Sequence, residues 1–593
     1  MYKMKNVFKI GLIPFLLSCM LSCSPPKEEK IVLRTLGGWD MPPMYNGNPF
    51  APGGVGAARD FIYGMLFGYD IFKGEFWPWL GLEFKETPKM LTVKLREGIL
   101  WEDGTPFTSK DVYTTFVIHG GLGEWSEVWR YMDRIETPDS YTVIFRYGSA
   151  RSILAKFYIL TNLIDASVHI YGKWLDEAEQ LLKLHKDMWQ REVLDEDIRK
   201  SNTELVDRTR QFREGLHKFK PEKPVGYGPF KVKIVVSSEM VLEKSKTFWT
   251  TEFDEIRIGR FTTNELVWAS FIAGEVDIEK PATPIDVVKA IIRAQPKIKH
   301  IPVSDFTAFC LLMNNERFPF SEKDFRKALA YIIDRDKVRM VALYYGTKVE
   351  YPCGLLPSIL DIWTTPEFRQ ILNPYEMNHA KATELLKGIG LIKARDGCWT
   401  TSDGKKLKFE IATNPSTDWV LAAEEISRQL TSFGLKTNVR IIEGTLYGPI
   451  LGAGEYDMAI EFGISAKLHP VQGYRNLYKS KEWIARVTRF VPRVTGQNGE
   501  ELNLEELQKE LFMTFEPVRQ REIIGKLAWA TNEYLPVLDL LEKNAQFFIC
   551  DGVRVTGWPY GEELQNKLAF NFRIAILKWM VDRTLKPGPV RIR

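Results

Sequence analysis

The chain has 593 residues, enough for roughly four domain-sized units and for a large core that needs no disulfide or metal to hold it. Apolar residues make up 45% and charged residues 26%, which excludes disorder, collagen and coiled coil as whole-chain descriptions. The formal charge is +4, about +1 without Lys3, Lys5 and Lys9, so composition marks no basic footprint for a nucleic-acid partner.

Those three lysines precede an apolar run from Ile10 to Leu21, about 12 residues where a membrane span needs about 20. A positive start and a short apolar run are the pattern of a secretory signal. A small residue followed by Cys ends the run twice, at Ser18-Cys19 and Ser22-Cys23, as in bacterial lipoprotein signals. Cys23 has the longer apolar run before it and is the expected lipidation site, with Cys19 the alternative. Residues 24–30 read as a charged, Pro-containing tether. Beyond it no run of 18 apolar residues occurs, so the expected body is anchored to a membrane by lipid and does not span it. Cys310, Cys353, Cys398 and Cys550 are far apart; burial and pairing both fit them.

Residues 31–90 are rich in turn signals around Asn46 and Asn48, with a helix expected from Ala57 to Phe67. Period-two alternation predicts a strand from Leu91 to Arg96 and a second beginning at Ile99 to Trp101. An Asp103-Gly104 turn leads to Thr108 and Asp111, spaced as a capping box before a helix from Val112 to Ile118. Residues 166–222 read as a helical insertion with a charged surface. Phe325, Ala328, Leu329, Ile332 and Ile333 share one helical face, with Ser321 as its expected cap. A second helix runs from Ala380 to Leu386, and Gly397 to Lys406 reads as a hairpin-like turn. Leu407–Ala412, Leu421–Phe433 and Lys436–Ile442 then read strand, helix, strand, the order of a parallel α/β unit.

The catalytic inventory is thin. HExxH, GxSxG and the GxxxxGK[ST] phosphate loop are all missing from the sequence, and its seven His are not spaced as metal pairs. No cofactor or metal is expected. The carboxylates are numerous enough that a secreted glycan-acting enzyme stays an alternative.

Five segments, in order, resemble the extracellular solute-binding proteins (family 5) that serve ABC importers of the oligopeptide, dipeptide and nickel type. They are LTVKLREGILWEDGTPFTSKDV at 91–112, PVGYGPF at 224–230 with Tyr227 where the family has a small residue, FIAGEVDI at 271–278, Met313-Asn314-Asn315 with FRKALAYIIDRD at 325–336, and GEYDMA at 454–459. The resemblance implies an α/β, two-lobed periplasmic-binding-protein-like fold of type II with an extra subdomain. It implies a signal peptide at 1–22, a tether at 23–30, lobe I at 31–300, lobe II at 301–545 and a return to lobe I at 546–593. It also implies a monomer whose lobes hinge shut on a small-molecule ligand, an oligosaccharide or a peptide, for delivery to a permease and its ATPase subunits.

Peptide-binding members show, after the segment matching 454–459, an acidic residue that pairs with the peptide amino terminus. This chain reads EFGISAKLHP from Glu461 to Pro470, with Lys467 where the carboxylate is expected. His469-Pro470 followed by aromatics resembles the family's oligosaccharide-binding branch. The 17 Trp fit that branch, since a rigid indole buries the apolar face of a sugar ring. The expected ligand contacts are Trp39, Asn46, Asn48, Trp268, Trp363, Trp419, Phe462, His469 and Tyr474; core packing is the competing role for each Trp, and turn formation for each Asn.

Overall fold

The computed structural model describes residues 29–38, 47–51, 56–148, 152–191, 203–221 and 225–591. Cys19, Cys23, Trp39 and Asn46 lie outside the described residues. Two large apolar cores organise the chain. The first is built from residues 33–303 together with Phe547 to Leu585; the second is built mainly from Phe306 to Leu541.

Two small sheets serve the first core. In one, Val32–Gly37 lies parallel to Glu255–Arg260, which pairs antiparallel with Glu239–Lys244 and through it with Phe230–Val235. The other is an antiparallel meander of Gly81–Thr87, Met90–Leu95, Thr142–Tyr147 and Met132–Asp139. The helix Ser109–Gly121 packs beneath, opened by the expected capping box of Thr108 and Asp111. Helices Leu175–Arg191 and Thr203–Lys218 form the insertion; Ala178, Leu181 and Leu182 bury against the first core while their Glu and Lys neighbours face water.

The second core surrounds a mixed sheet in the order Ile278–Glu279, Val537–Cys550, Ile298–Met313, Met458–Ser465, Lys408–Thr413, Lys436–Ile441. Lys408–Thr413 and Lys436–Ile441 are parallel and joined by the helix Thr417–Phe433, as their strand–helix–strand order predicts. Gly434 ends that helix at φ 106°, a conformation a side chain would strain.

Two long strands, Ile298–Met313 and Val537–Cys550, run from one core to the other. Val303 pairs with Ala545 and packs in the first core, while Leu311 pairs with Leu538 in the second. Their register breaks between Ser304 and Ala308, where Phe306 takes φ 58°. A bulge bends a strand locally and leaves ladder groups unpaired. Glu542, 1% exposed, accepts from the Ser304 and Ser358 hydroxyls and, at 2.9 Å, from the Ser358 amide, filling the gap in the ladder.

Several local expectations are corrected. The helix foreseen from Ala57 to Phe67 is one turn, Arg59–Ile62, followed by strands Gly64–Met65 and Phe67–Asp70, because Gly64 and Gly68 sit hard against Trp79 and Trp77. Ile99 to Trp101 forms no strand beyond the bridge from Leu100 to Pro106; burial of the Trp101 ring holds it instead. The helix Lys323–Ile332 is preceded by Glu322, and Ser321 does not cap it. The four cysteines of the described chain are free, three buried and Cys398 half-buried.

Candidate functional site

Between the two cores lies a cleft of two chambers. The first, of about 500 Å³, is lined by Gly37, Gly38, Asp60, Phe261, Glu279 and Lys280 on one side and Ser304, Asp305 and Lys467 on the other, with Ala545, Phe547 and residues 568–573 closing it. The second, of about 540 Å³, is lined by Arg59, Met65, Trp125, Tyr158, Thr161 and Asn162 opposite Ser465, Leu468 and Gln472. Asp60, Lys467, Phe570 and Asn571 are common to both. Ser304 and Asp305 belong to the strand break, so the cleft floor and the break in the long strands coincide.

The wall common to both chambers is made by a broken helix. Gly561–Val581 is interrupted at Asn571, whose φ −157° and ψ 108° are extended. The Asn571 Oδ1 accepts from the amides of Arg573 (3.1 Å) and Ile574 (3.3 Å), capping the second half of the helix. A helix break frees carbonyls. The Phe570 carbonyl accepts from the Lys467 ammonium across the cleft, a direct bond between the two sides. Burial lowers the Lys467 pKa to about 8, and repulsion from Lys280 adds to this against the attraction of Asp305.

The cleft carries both signs of charge, and each carboxylate already has partners. Glu279 accepts from the Thr35 hydroxyl at 3.1 Å, the Leu36 amide at 3.2 Å and the Lys280 amide at 3.1 Å. Asp305 accepts from the Thr307 amide at 3.1 Å and pairs with Lys543 at 3.5 Å. Asp60 is held by Asn571 and by the charges of Arg573 and Arg59. Burial raises the pKa of all three above the usual carboxylate range. Lys280 lies over the rings of Phe547 and Phe572, at 5.8 and 5.4 Å. Among the described residues no group of His, Cys, Asp and Glu is arranged to hold a metal ion.

None of the expected ligand contacts among the described residues lines either chamber, whereas Lys467 lines both. Phe462 is one step away, under Lys543 at 4.8 Å, which in turn pairs with Asp305. Trp419 is 6% exposed and packs behind Phe462 against Phe309 and Tyr447. Trp268 donates to the Thr283 hydroxyl at 3.1 Å and packs in a small third cluster. His469 and Trp363 pack edge to face at 4.6 Å away from both chambers. Burial drives the His469 pKa to about 3, so it is neutral and structural. Tyr474 is fully buried and donates to the Cys353 carbonyl at 3.1 Å. Asn48 binds the Leu216 and Phe219 carbonyls, at 2.6 and 3.0 Å, and so fastens the helical insertion. Gly38 lines the first chamber and immediately precedes Trp39.

Asp305, Lys280, Asn571, Arg573, Trp125 and Tyr158 were not singled out by the sequence. One signal was available: Asn571 is a lone amide in the apolar run AFNFRIAIL, where a helix interior has no use for it.

The description "Bacterial extracellular solute-binding proteins, family 5 Middle" matches residues 77–485. The chain belongs to this family. Among curated proteins it is similar to a probable ABC transporter-binding protein of Deinococcus radiodurans, 23% identical over 452 residues that cover 69% of this chain and 70% of the other. Among solved structures it is similar to a periplasmic oligopeptide-binding protein of Thermotoga maritima bound to mannohexaose, with TM-score 0.66, 21% identity and coverage of 95% and 100% of the two chains. It is also similar to AppA of Bacillus subtilis in complex with a nonapeptide, with TM-score 0.60, 16% identity and coverage of 92% and 97%. At these identities the structures show the fold, and the two-lobed α/β expectation stands. Among the described residues no helix is long and apolar enough to cross a membrane.

Proposed function

We propose that this family member is the lipid-anchored capture component of an ABC importer, that it acts as a monomer, and that its ligand is an oligosaccharide. Its lobes are residues 31–300 with 546–593, and residues 301–545; they hinge at the Ser304–Ala308 break and at the facing segment of Val537–Cys550. Ligand that touches both lobes only when they are shut favours the shut state by that difference in contact energy. Cys23, or Cys19, carries the lipid, and Trp39 is among the ligand contacts.

One observation carries the choice of ligand. Glu279, Asp305 and Asp60 are each engaged by the chain's own donors, and Lys467 projects into the cleft where a peptide ammonium would need an anion. A polyhydroxylated neutral ligand needs no counter-ion and finds donors, acceptors and rings together. The runner-up, a peptide, is favoured by Asp305, whose Lys543 partner sits at the long distance of 3.5 Å and is replaceable by a ligand amine.

The test is intrinsic Trp fluorescence and melting temperature of the signal-free protein against linear glucans, mannans and xylans, and against di- to octapeptides. A bound ligand raises the melting point by mass action. Saturation by one sugar class supports the reading; saturation by peptides alone replaces it with the runner-up.

A further inference from the structure

Trp125 stands in the wall of the second chamber with φ 55° and ψ 35°. A bulky residue in the left-handed region is strained, and such strain persists where the surroundings dictate it. Here the surroundings are specific. The His119 ring lies parallel beneath the indole, centroids 4.2 Å apart and planes 12° apart, and Phe116 meets it edge-on at 4.9 Å. His119 is fixed in turn: its Nδ1 bonds the Glu124 carboxylate at 2.7 Å and its Nε2 the Asp165 carboxylate at 3.2 Å. Asp165 also holds Arg59, which lines the same chamber. Burial alone would lower the His119 pKa, yet Asp165 and Glu124 hold it raised, which favours a cation behind the ring. A salt-bridged network thus supports one face of the indole, and Trp125 lines the chamber.

The rest of this chamber is unlike the first. Asp60 is its single carboxylate, shared at the boundary with Lys467, and beside Trp125 and Arg59 the lining carries the amides of Asn162, Gln472 and Asn571 and the Tyr158 and Thr161 hydroxyls. An aromatic face with neutral donors and acceptors around it matches a ring that is apolar on its flat side and hydroxylated at its rim.

We propose that the second chamber is a distinct subsite in which an uncharged, hydroxyl-bearing ring of the ligand stacks on Trp125. The inference rests on the oligosaccharide reading and deepens it: a ligand that fills both chambers has more than one ring and passes beside Lys467.

The experiment uses the signal-free protein labelled with 5-fluorotryptophan, the Trp125 signal being assigned with Trp125→Phe. Mannohexaose, cellohexaose, xylohexaose, maltohexaose and an octapeptide are titrated in turn, with fluorine NMR and calorimetry as readouts. The expected result is that one hexaose saturates the Trp125 resonance and that Trp125→Ala weakens its binding roughly tenfold. Should the alanine variant fail to fold, the Trp125 resonance of the wild-type protein decides alone. A hexaose that binds without moving this resonance overturns the subsite and leaves the oligosaccharide reading standing. A Trp125 resonance that no sugar moves while the octapeptide binds overturns both, and one that neither ligand class moves overturns the subsite.

Discussion

The guanidinium of Arg475 grips the carboxylate of Glu127 through two hydrogen bonds, 2.8 and 3.0 Å long, joining helices that belong to the two different cores. Arg475 is 13% exposed, lies over the Phe512 ring at 4.9 Å and bonds Glu482 with its Nε at 3.1 Å, so its fork is oriented before Glu127 arrives. Bidentate geometry is the strong form of this contact.

On the proposed hinge closure, this pair across the two sides of the cleft contributes to the shut arrangement. Glu127→Gln leaves one neutral acceptor where two charged ones stood. With Glu127 partly exposed, the loss is about 1 kcal/mol, a roughly fivefold weaker affinity for whichever ligand binds. Small-angle scattering of the ligand-free variant is expected to give a larger radius of gyration than that of the wild type. Equal radii and equal affinities would show that the pair does not hold the lobes.

Tyr227 stands where the resemblance implies a small residue, and the structure accommodates its ring. Its ring, fully buried, fills space beside Trp101, Phe107 and Tyr63. Its hydroxyl accepts from the Gly64 amide at 2.8 Å and donates toward the carbonyls of Ile164, at 2.6 Å, and Gly64, at 2.9 Å. Tyr227→Phe orphans those backbone groups and costs about 1–3 kcal/mol; Tyr227→Ala adds a cavity and costs about 3–5 kcal/mol. Urea unfolding measures both. An alanine variant no less stable than the phenylalanine variant would mean that the pocket collapses freely.

What the sequence made legible follows from the range over which each signal acts. The Thr108–Asp111 box and the helix Thr417–Phe433 between parallel strands are encoded within a few residues, and periodicity or capping exposes them. The two chambers are not local. Asp305, Lys467 and Phe570 meet only because Ile298–Met313 and Val537–Cys550 bring distant segments together. Lys467 was found through resemblance. Loop or helix context did not separate core from cleft tryptophans, because tertiary packing decides it: Trp419, which was chosen, lies in the core, and Trp125, which was not, lines a chamber.

His469 gives a pH dependence of known sign. Its pKa falls from the ordinary 6.5 to about 3 because burial penalises the imidazolium. The unfolded chain therefore binds a proton that the folded chain refuses between those values, and stability falls as pH drops below 6.5. By pH 4.5 the loss from this one group is on the order of 2–3 kcal/mol. The His469 Nδ1 accepts from the Val471 amide at 3.1 Å, a bond His469→Gln can imitate without titrating. Denaturant midpoints at pH 7 and 4.5 should converge for wild type and variant as the acid penalty offsets the cost of substitution. A gap that stays constant with pH would show that His469 accepts its proton in the folded state.

Lys467 titrates with the opposite consequence at the other end of the scale. Its pKa falls from 10.5 to about 8 through burial and the neighbouring Lys280. Between those values the unfolded chain again binds more protons than the folded one, so stability from this group rises as pH climbs through 8 toward 10.5. At pH 7 the ammonium is charged in both states, and its desolvation is a cost only partly met by the Phe570 carbonyl. Lys467→Met keeps the packing length of the side chain and removes the charge. The melting temperature of the wild type minus that of the variant is therefore expected to increase from pH 7 to pH 9.5, a comparison in which titrating groups that do not interact with Lys467 cancel. A difference that is flat over this range would place Lys467 in water and remove its ammonium as the group that turns peptides away.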